Sequence, residues 1–228
     1  MRMRRFRKKN EVSYLQTIPR ELTTQILCRV AASSAADISN IKLSCKELRE
    51  IAEDGDVYRH ACLDKFPILE WSPLCEKKQK FLNRCKQTSN PEIWYREALL
   101  DFFKKTDLES AIRNLDKAVK MGHVRALYAC CIISLMSGID QVKEEGIKLM
   151  GKMIRNGYIK TRLRWCRRKL IEELGQMWIS NPMLKDPPIF CSKLHRCYPK
   201  TNNWSDEDDC EACAADTHVQ LISSSCAN

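Results

Sequence analysis

Glycine is scarce in this 228-residue chain, with seven residues in all, and aromatic residues make up only 7%. So little glycine argues against phosphate-cradling loops and glycine-rich linkers, and no Gly-rich nucleotide loop, nucleophile elbow or metalloprotease helix is found. The four histidines (His60, His123, His195 and His218) are scattered, and none forms a persuasive triad with a serine or cysteine. We therefore expect no catalytic residue. No run approaches the roughly 18–20 apolar residues that cross a bilayer, so no membrane association is expected. Six Arg/Lys lie within the first ten residues, but no apolar stretch follows them as in a secretory signal.

Cysteine, by contrast, is abundant, at 13 residues. Without an export signal, and with Cys28, Cys45, Cys130 and Cys131 inside apolar helical patterns, these read as reduced thiols of a nuclear or cytoplasmic protein. An odd number cannot pair completely within one chain. The net charge of +10 is confined to two segments. Met1–Asn10 holds six positive charges, Lys160–Lys169 holds six more, and the remainder is slightly acidic at −2. Hydrophobic residues at 44% suit a helical protein with a real core.

From Leu15 to Phe66 the pattern is helical. Pro19 suits the first position of a helix. Leu22, Ile26 and Val30 recur every fourth residue beside Leu27. After the Ser33-Ser34 break, Asp37 is placed to cap a second helix, on which Ile38, Ile41, Cys45, Leu48 and Ala52 form an apolar face. So small a unit gains from covering apolar side chains with a partner. This segment resembles an F-box. The residues that carry the likeness are Ile18-Pro19, Glu21-Leu22, Ile26-Leu27, Cys45-Lys46, Leu48-Arg49 and Val57-Tyr58, with Ile18 in place of the usual Leu and Leu48 in place of the usual Trp. The resemblance implies that Ile18, Pro19, Leu22, Ile26, Leu27, Val30, Cys45 and Leu48 meet the Skp-family linker protein that joins F-box subunits to a cullin.

Two further segments repeat. Tyr95 aligns with Tyr128, Ala98-Leu99 with Cys131-Ile132, Phe102-Phe103 with Leu135-Met136 and Asp107 with Asp140. After a two-residue insertion, Ala111-Ile112 aligns with Gly146-Ile147, Leu115 with Met150, Val119 with Ile154 and Gly122 with Gly157. Each copy reads as helix, turn, helix. Ala98, Ala111, Ala118, Cys131 and Gly146 allow close approach, and Gly122 and Gly157 are expected as left-handed C-caps. The ending Ala118-Val119-Lys120-Met121-Gly122-His123-Val124-Arg125-Ala126 resembles the Sel-like branch of tetratricopeptide-like repeats, and the lead-in from Asn90 to Phe103 resembles plant F-box proteins that carry them. In such a motif the histidine after glycine is a structural cap. The resemblance implies binding of a target protein.

Lys160–Lys169 reads as a helix with Leu163, Trp165, Cys166 and Leu170 packed and its charges solvated, so no nucleic-acid partner is expected. Pro187-Pro188 then breaks the helical pattern. Downstream, Cys210-x-x-Cys213 has the spacing that lets two thiolates hold one tetrahedral ion, and Cys197 with either Cys191 or His195 completes a candidate structural zinc set. The expected organisation is all-α: a basic arm at 1–12, an F-box three-helix unit at 13–66, a linker helix within 67–90 that fixes the orientation of its neighbours, helical hairpins at 91–180, and an irregular cysteine-rich tail at 181–228. The function expected is substrate recognition in an SCF-type cullin–RING ubiquitin ligase. The alternative is a helical-repeat scaffold or nucleic-acid-associated protein outside any ligase.

Overall fold

Short polar or extended residues between apolar stripes set where each helix starts and stops. The computed structural model describes residues 17–69, 74–103, 107–177, 188–192 and 210–226; the basic arm lies outside them. Among these residues there is no strand, and the chain divides into two compact units. The first is Met1–Lys65 with Cys75–Asn90, and the second is Phe66–Leu74 with Pro91–Asn228.

Unit 1 holds α1 (Arg20–Ser33), α2 (Ala35–Ser44), α3 (Lys46–Ala52), α4 (Gly55–Arg59) and α5 (Glu76–Gln87). Among the described residues before residue 66 there are thus four helices, not three. Pro19 stands one position earlier than its φ preference suggested, at the N-cap of α1, where its carbonyl accepts from the Thr23 amide at 3.0 Å. Thr23, Leu27 and Ala31 form the inward stripe of α1. The cap of α2 is Ser34, not Asp37: the Ser34 hydroxyl accepts from the Asp37 amide at 3.3 Å, which makes Asp37 the third helical residue. Cys45 caps α3, its sulfur accepting from the Leu48 amide at 3.4 Å, and Asp54 caps α4. Against this frame α5 lays Cys85 and Phe81, whose ring sits 5.7 Å from that of Tyr58. The buried Asn90 amide donates to the carbonyls of Tyr58 and Ala61 at 2.8 and 2.9 Å.

Unit 2 holds α6 (Pro91–Phe103), α7 (Leu108–Lys120), α8 (Val124–Leu135), α9 (Asp140–Arg155), α10 (Gly157–Gln176) and α11 (Glu211–Cys226). The two sequence repeats are the hairpins α6–α7 and α8–α9, and α10 and α11 pack on α8 and α9. The small residues do what their size allows. Ala98, Ala111, Ala118 and Cys131 are fully buried, and the Cys131 thiol donates to the Gly146 carbonyl at 3.3 Å. A Cβ on Gly146 would lie 3.0 Å from the Leu135 amide nitrogen.

Gly122 (φ 79°) closes α7 with both bonds of a Schellman motif, Gly122 N–H to Val119 and His123 N–H to Ala118. Gly157 does not repeat the device. It opens α10, behind an Asn156 cap whose side chain accepts from the Ile159 amide at 3.1 Å. The tail is not irregular throughout: α11 buries Ala215, Val219 and Ile222 completely in the core of unit 2. No helix among the described residues is long and apolar enough to cross a membrane.

Candidate functional site

Three arrangements of side chains stand out, one in unit 1 and two in unit 2. On α1, the four-residue spacing that turns Leu27 inward (4% exposed) turns Leu22 and Ile26 outward, at 50% and 48% exposure. Leu43 on α2 is 77% exposed. Pro19 and Cys45 are exposed as well, while Ile18, Val30 and Leu48 are half-buried. Leu27, expected at the partner surface, instead belongs to the core of its own unit. On a 3.6-residue period Leu27 stands about 100° round the helix from Ile26, on the side of the buried Thr23 and Ala31.

In unit 2 the Arg125 guanidinium, 3% exposed, reaches Glu92 at 2.7 Å and Glu173 at 2.5 Å. It lies over the rings of Tyr95 and Trp165 at 4.8 and 5.6 Å. His123 caps α8 by accepting the Ala126 amide on Nδ1 at 3.1 Å, which leaves the hydrogen on Nε2 to donate to Glu92 at 2.9 Å. Arg96 binds the same carboxylate at 2.7 Å. Burial alone raises the Glu92 carboxyl, but the His123 hydrogen bond and the guanidiniums of Arg125 and Arg96 outweigh it and hold the group at about 2. At Glu173 burial, joined by the nearby Glu92 carboxylate, prevails over Arg125, the Tyr95 hydroxyl and Arg96, and the carboxyl is raised. The shared carboxylates and the Arg125 guanidinium tie α6, α8 and α10 together.

The third arrangement is a group of three thiols. Cys210 immediately precedes α11, its carbonyl accepting from the Ala214 amide, and Cys213 lies in the first turn. Asp216, one turn on, accepts the amides of Phe190 and Cys191 at 2.6 and 3.0 Å and so brings Cys191 to the same helix end. The three sulfurs lie within 4.8 Å of one another, and those of Cys191 and Cys210 are 3.8 Å apart. Burial pushes the Cys210 thiol up, but the Cys213 amide and thiol and the Cys191 thiol outweigh it and lower the group. The core thiols behave oppositely. Burial lifts Cys85 and Cys131 to about 12, and Cys130 and Cys166 to about 11. Cys197 and His195, the other expected ligands, lie outside the described residues. His218 shares a buried hydrogen bond with the Tyr128 hydroxyl at 2.9 Å.

Residues 63–175 match the family model for plant tetratrico peptide repeats. This part of the chain is similar to plant tetratricopeptide-type repeats. Two Arabidopsis thaliana proteins are similar over a comparable length. One, named as a putative F-box protein, is 25% identical over 141 residues, covering 62% of this chain and 46% of its own length. Another, named as an F-box protein, is 28% identical over 146 residues, covering 64% of this chain and 86% of its own. The chain therefore spans less than half of the first relative. No solved structure matches.

Within the repeat region, His123 is the helix cap that the motif implied, and the basic stretch of α10 packs Leu163, Cys166 and Leu170 inward. The charged cluster escaped the sequence reading. Its one available signal was that Glu92 and Arg125 stand 33 residues apart, at the pitch that relates Tyr95 to Tyr128.

Proposed function

We propose that this chain is the substrate-recognition adaptor of an SCF-type cullin–RING ubiquitin ligase. Unit 1 would engage the Skp-family linker protein and, through it, the cullin, while the repeat region holds a target protein. The observation that carries the reading is the pair Leu22 and Ile26, half-exposed one turn apart on α1, in a chain whose relatives are named as F-box proteins. Apolar side chains of that size each gain roughly 1.5–3 kcal/mol when a partner removes them from water. The adaptor itself needs no catalytic residue, since it works by raising the effective concentration of the target beside the charged conjugating enzyme. The place of action that follows is the nucleus or the cytoplasm.

The deciding experiment is capture of a purified Skp-family linker protein by the wild-type chain and by Leu22→Asp and Ile26→Asp. Binding by the wild type, lost in both variants while circular dichroism is unchanged, supports the adaptor. Failure of the wild type to bind removes the ligase reading and leaves a helical-repeat scaffold.

A further inference from the structure

We propose that Cys191, Cys210 and Cys213 are ligands of a single zinc ion that fastens the 188–192 segment to the start of α11. Sulfur ligands at about 2.3 Å from a tetrahedral ion stand about 3.8 Å apart. The Cys191 and Cys210 sulfurs are separated by 3.8 Å, and the third lies within 4.8 Å of both. A disulfide needs its sulfurs at about 2.05 Å, and two thiols held apart by other contacts gain nothing from a third sulfur converging on them. Three convergent soft donors select zinc among the common divalent ions over magnesium or calcium, which take oxygen.

The surroundings favour three negative sulfurs. All three gather at the amino end of a 16-residue helix, where first-turn amides and the helix dipole stabilise anions. That helix is anchored independently of the ion. Ala215, Val219 and Ile222 are buried, and Glu211 pairs with Arg155 at the end of α9. Asp216 accepts the amides of Phe190 and Cys191 and so holds the backbone that carries the Cys191 thiol. Two of the ligands therefore stand on a packed helix and the third on a segment whose register is fixed by that helix, an arrangement built in advance of the metal. Asp216 is a positioning residue, since its carboxylate is spent on amides.

The ion would close the chain from 191 to 210 and stop the 188–192 segment from leaving α11. Removing it should loosen that edge of unit 2 without opening the repeat hairpins.

The test is metal content of the full-length chain, purified under reducing conditions with zinc supplied and then dialysed. One zinc per chain is expected. Cys191→Ser and Cys213→Ser should each fall to less than a tenth of that, while Cys45→Ser, at an exposed cysteine of unit 1, should stay fully loaded. Asp216→Asn should lower zinc affinity at least tenfold with the thiols intact. Because a cysteine variant can lose metal by misfolding, the wild type supplies a second readout. Cobalt(II) in place of zinc should give the intense visible bands of a tetrahedral thiolate complex. A wild-type chain that takes up no zinc, equal zinc in wild type and Cys213→Ser, weak octahedral cobalt bands, or a Cys191–Cys210 disulfide in the freshly purified chain would each overturn the proposal.

Discussion

Glu92 and Arg125 occupy the same place in successive helical hairpins, 33 residues apart in sequence, and meet as a buried ion pair at 2.7 Å. The first copy supplies the acid and the second the base, so the pair exists only when the two hairpins stack. A single guanidinium serves two buried carboxylates, because Glu173 binds Arg125 as well. Removing the cation strands Glu173, whereas Glu92 keeps Arg96 and His123, and breaking a buried pair from one side costs about 3–5 kcal/mol. Arg125→Met should therefore lower the urea midpoint of unit 2 severely. Adding Glu173→Gln to that variant, which removes the stranded acid and keeps the Tyr95 hydroxyl partnered, should recover part of the loss. No recovery in the double variant would mean that Arg125 acts through packing on Tyr95 and Trp165 instead.

How far the sequence could be read depended on the range of the interaction. Period and capping act over four residues, and they located both hairpins and the Gly122 terminator, while the cap at His123 was implied by the likeness to Sel-like repeats. Where two local rules competed, the reading slipped by a few positions. Ser34 took the cap from Asp37, and Asn156 turned Gly157 from a helix end into a helix start. The fate of Leu27 and the burial of α11 depend on which surface finds a partner elsewhere in the fold, and that is not written locally. The thiol cluster was half legible. Cys210-x-x-Cys213 announces itself by spacing, whereas Cys191 is brought in by Asp216, a contact across 25 residues.

Leu22 and Leu27 separate binding from folding on one helix. Leu22 is half-exposed, so Leu22→Asp should leave the stability of unit 1 within about 0.5 kcal/mol of wild type. Leu27→Ala empties space beside Ala31 and should cost about 2–5 kcal/mol. Chemical denaturation of the two variants checks the contrast. A large loss from Leu22→Asp would show that the outward face of α1 is part of the fold.

The two glycines of the repeats carry different constraints. Around Gly122 there is open space for a Cβ, so Gly122→Ala meets only the backbone cost of φ 79°. That cost is about 1–2 kcal/mol. Gly146→Ala keeps an ordinary helical backbone but sets its methyl 3.0 Å from the Leu135 amide and 3.1 Å from the Leu135 side chain. There α8 and α9 must move apart, at about 1–3 kcal/mol. Gly122→Asn should recover stability at the first site, because asparagine tolerates the left-handed region, and Gly146→Asn should not at the second. Equal responses to asparagine would refute the distinction.

His218 gives unit 2 a particular response to acid. Burial and the nearby Arg167 guanidinium hold its imidazole down to about 3, and it is 1% exposed against the Tyr128 hydroxyl. An unfolded histidine titrates near 6.5. Between these values the unfolded chain binds a proton that the folded chain refuses, so protonation draws the equilibrium toward unfolding. The stability of unit 2 should be undiminished by this group above pH 6.5. Below that it should fall by about 1.4 kcal/mol per pH unit until the folded imidazole itself titrates near pH 3. Glu92 adds a loss of the same sign at lower pH. Its folded value of about 2 lies beneath the unfolded carboxylate range near 4.3, so its contribution fades as pH drops below that range. His218→Asn keeps a hydrogen-bonding side chain beside Tyr128 and has no such titration. In urea titrations at intervals from pH 7 to pH 5, where Glu92 stays ionised in both states, wild type should lose stability and His218→Asn should stay nearly flat. Parallel losses in the two proteins would place the acid sensitivity elsewhere.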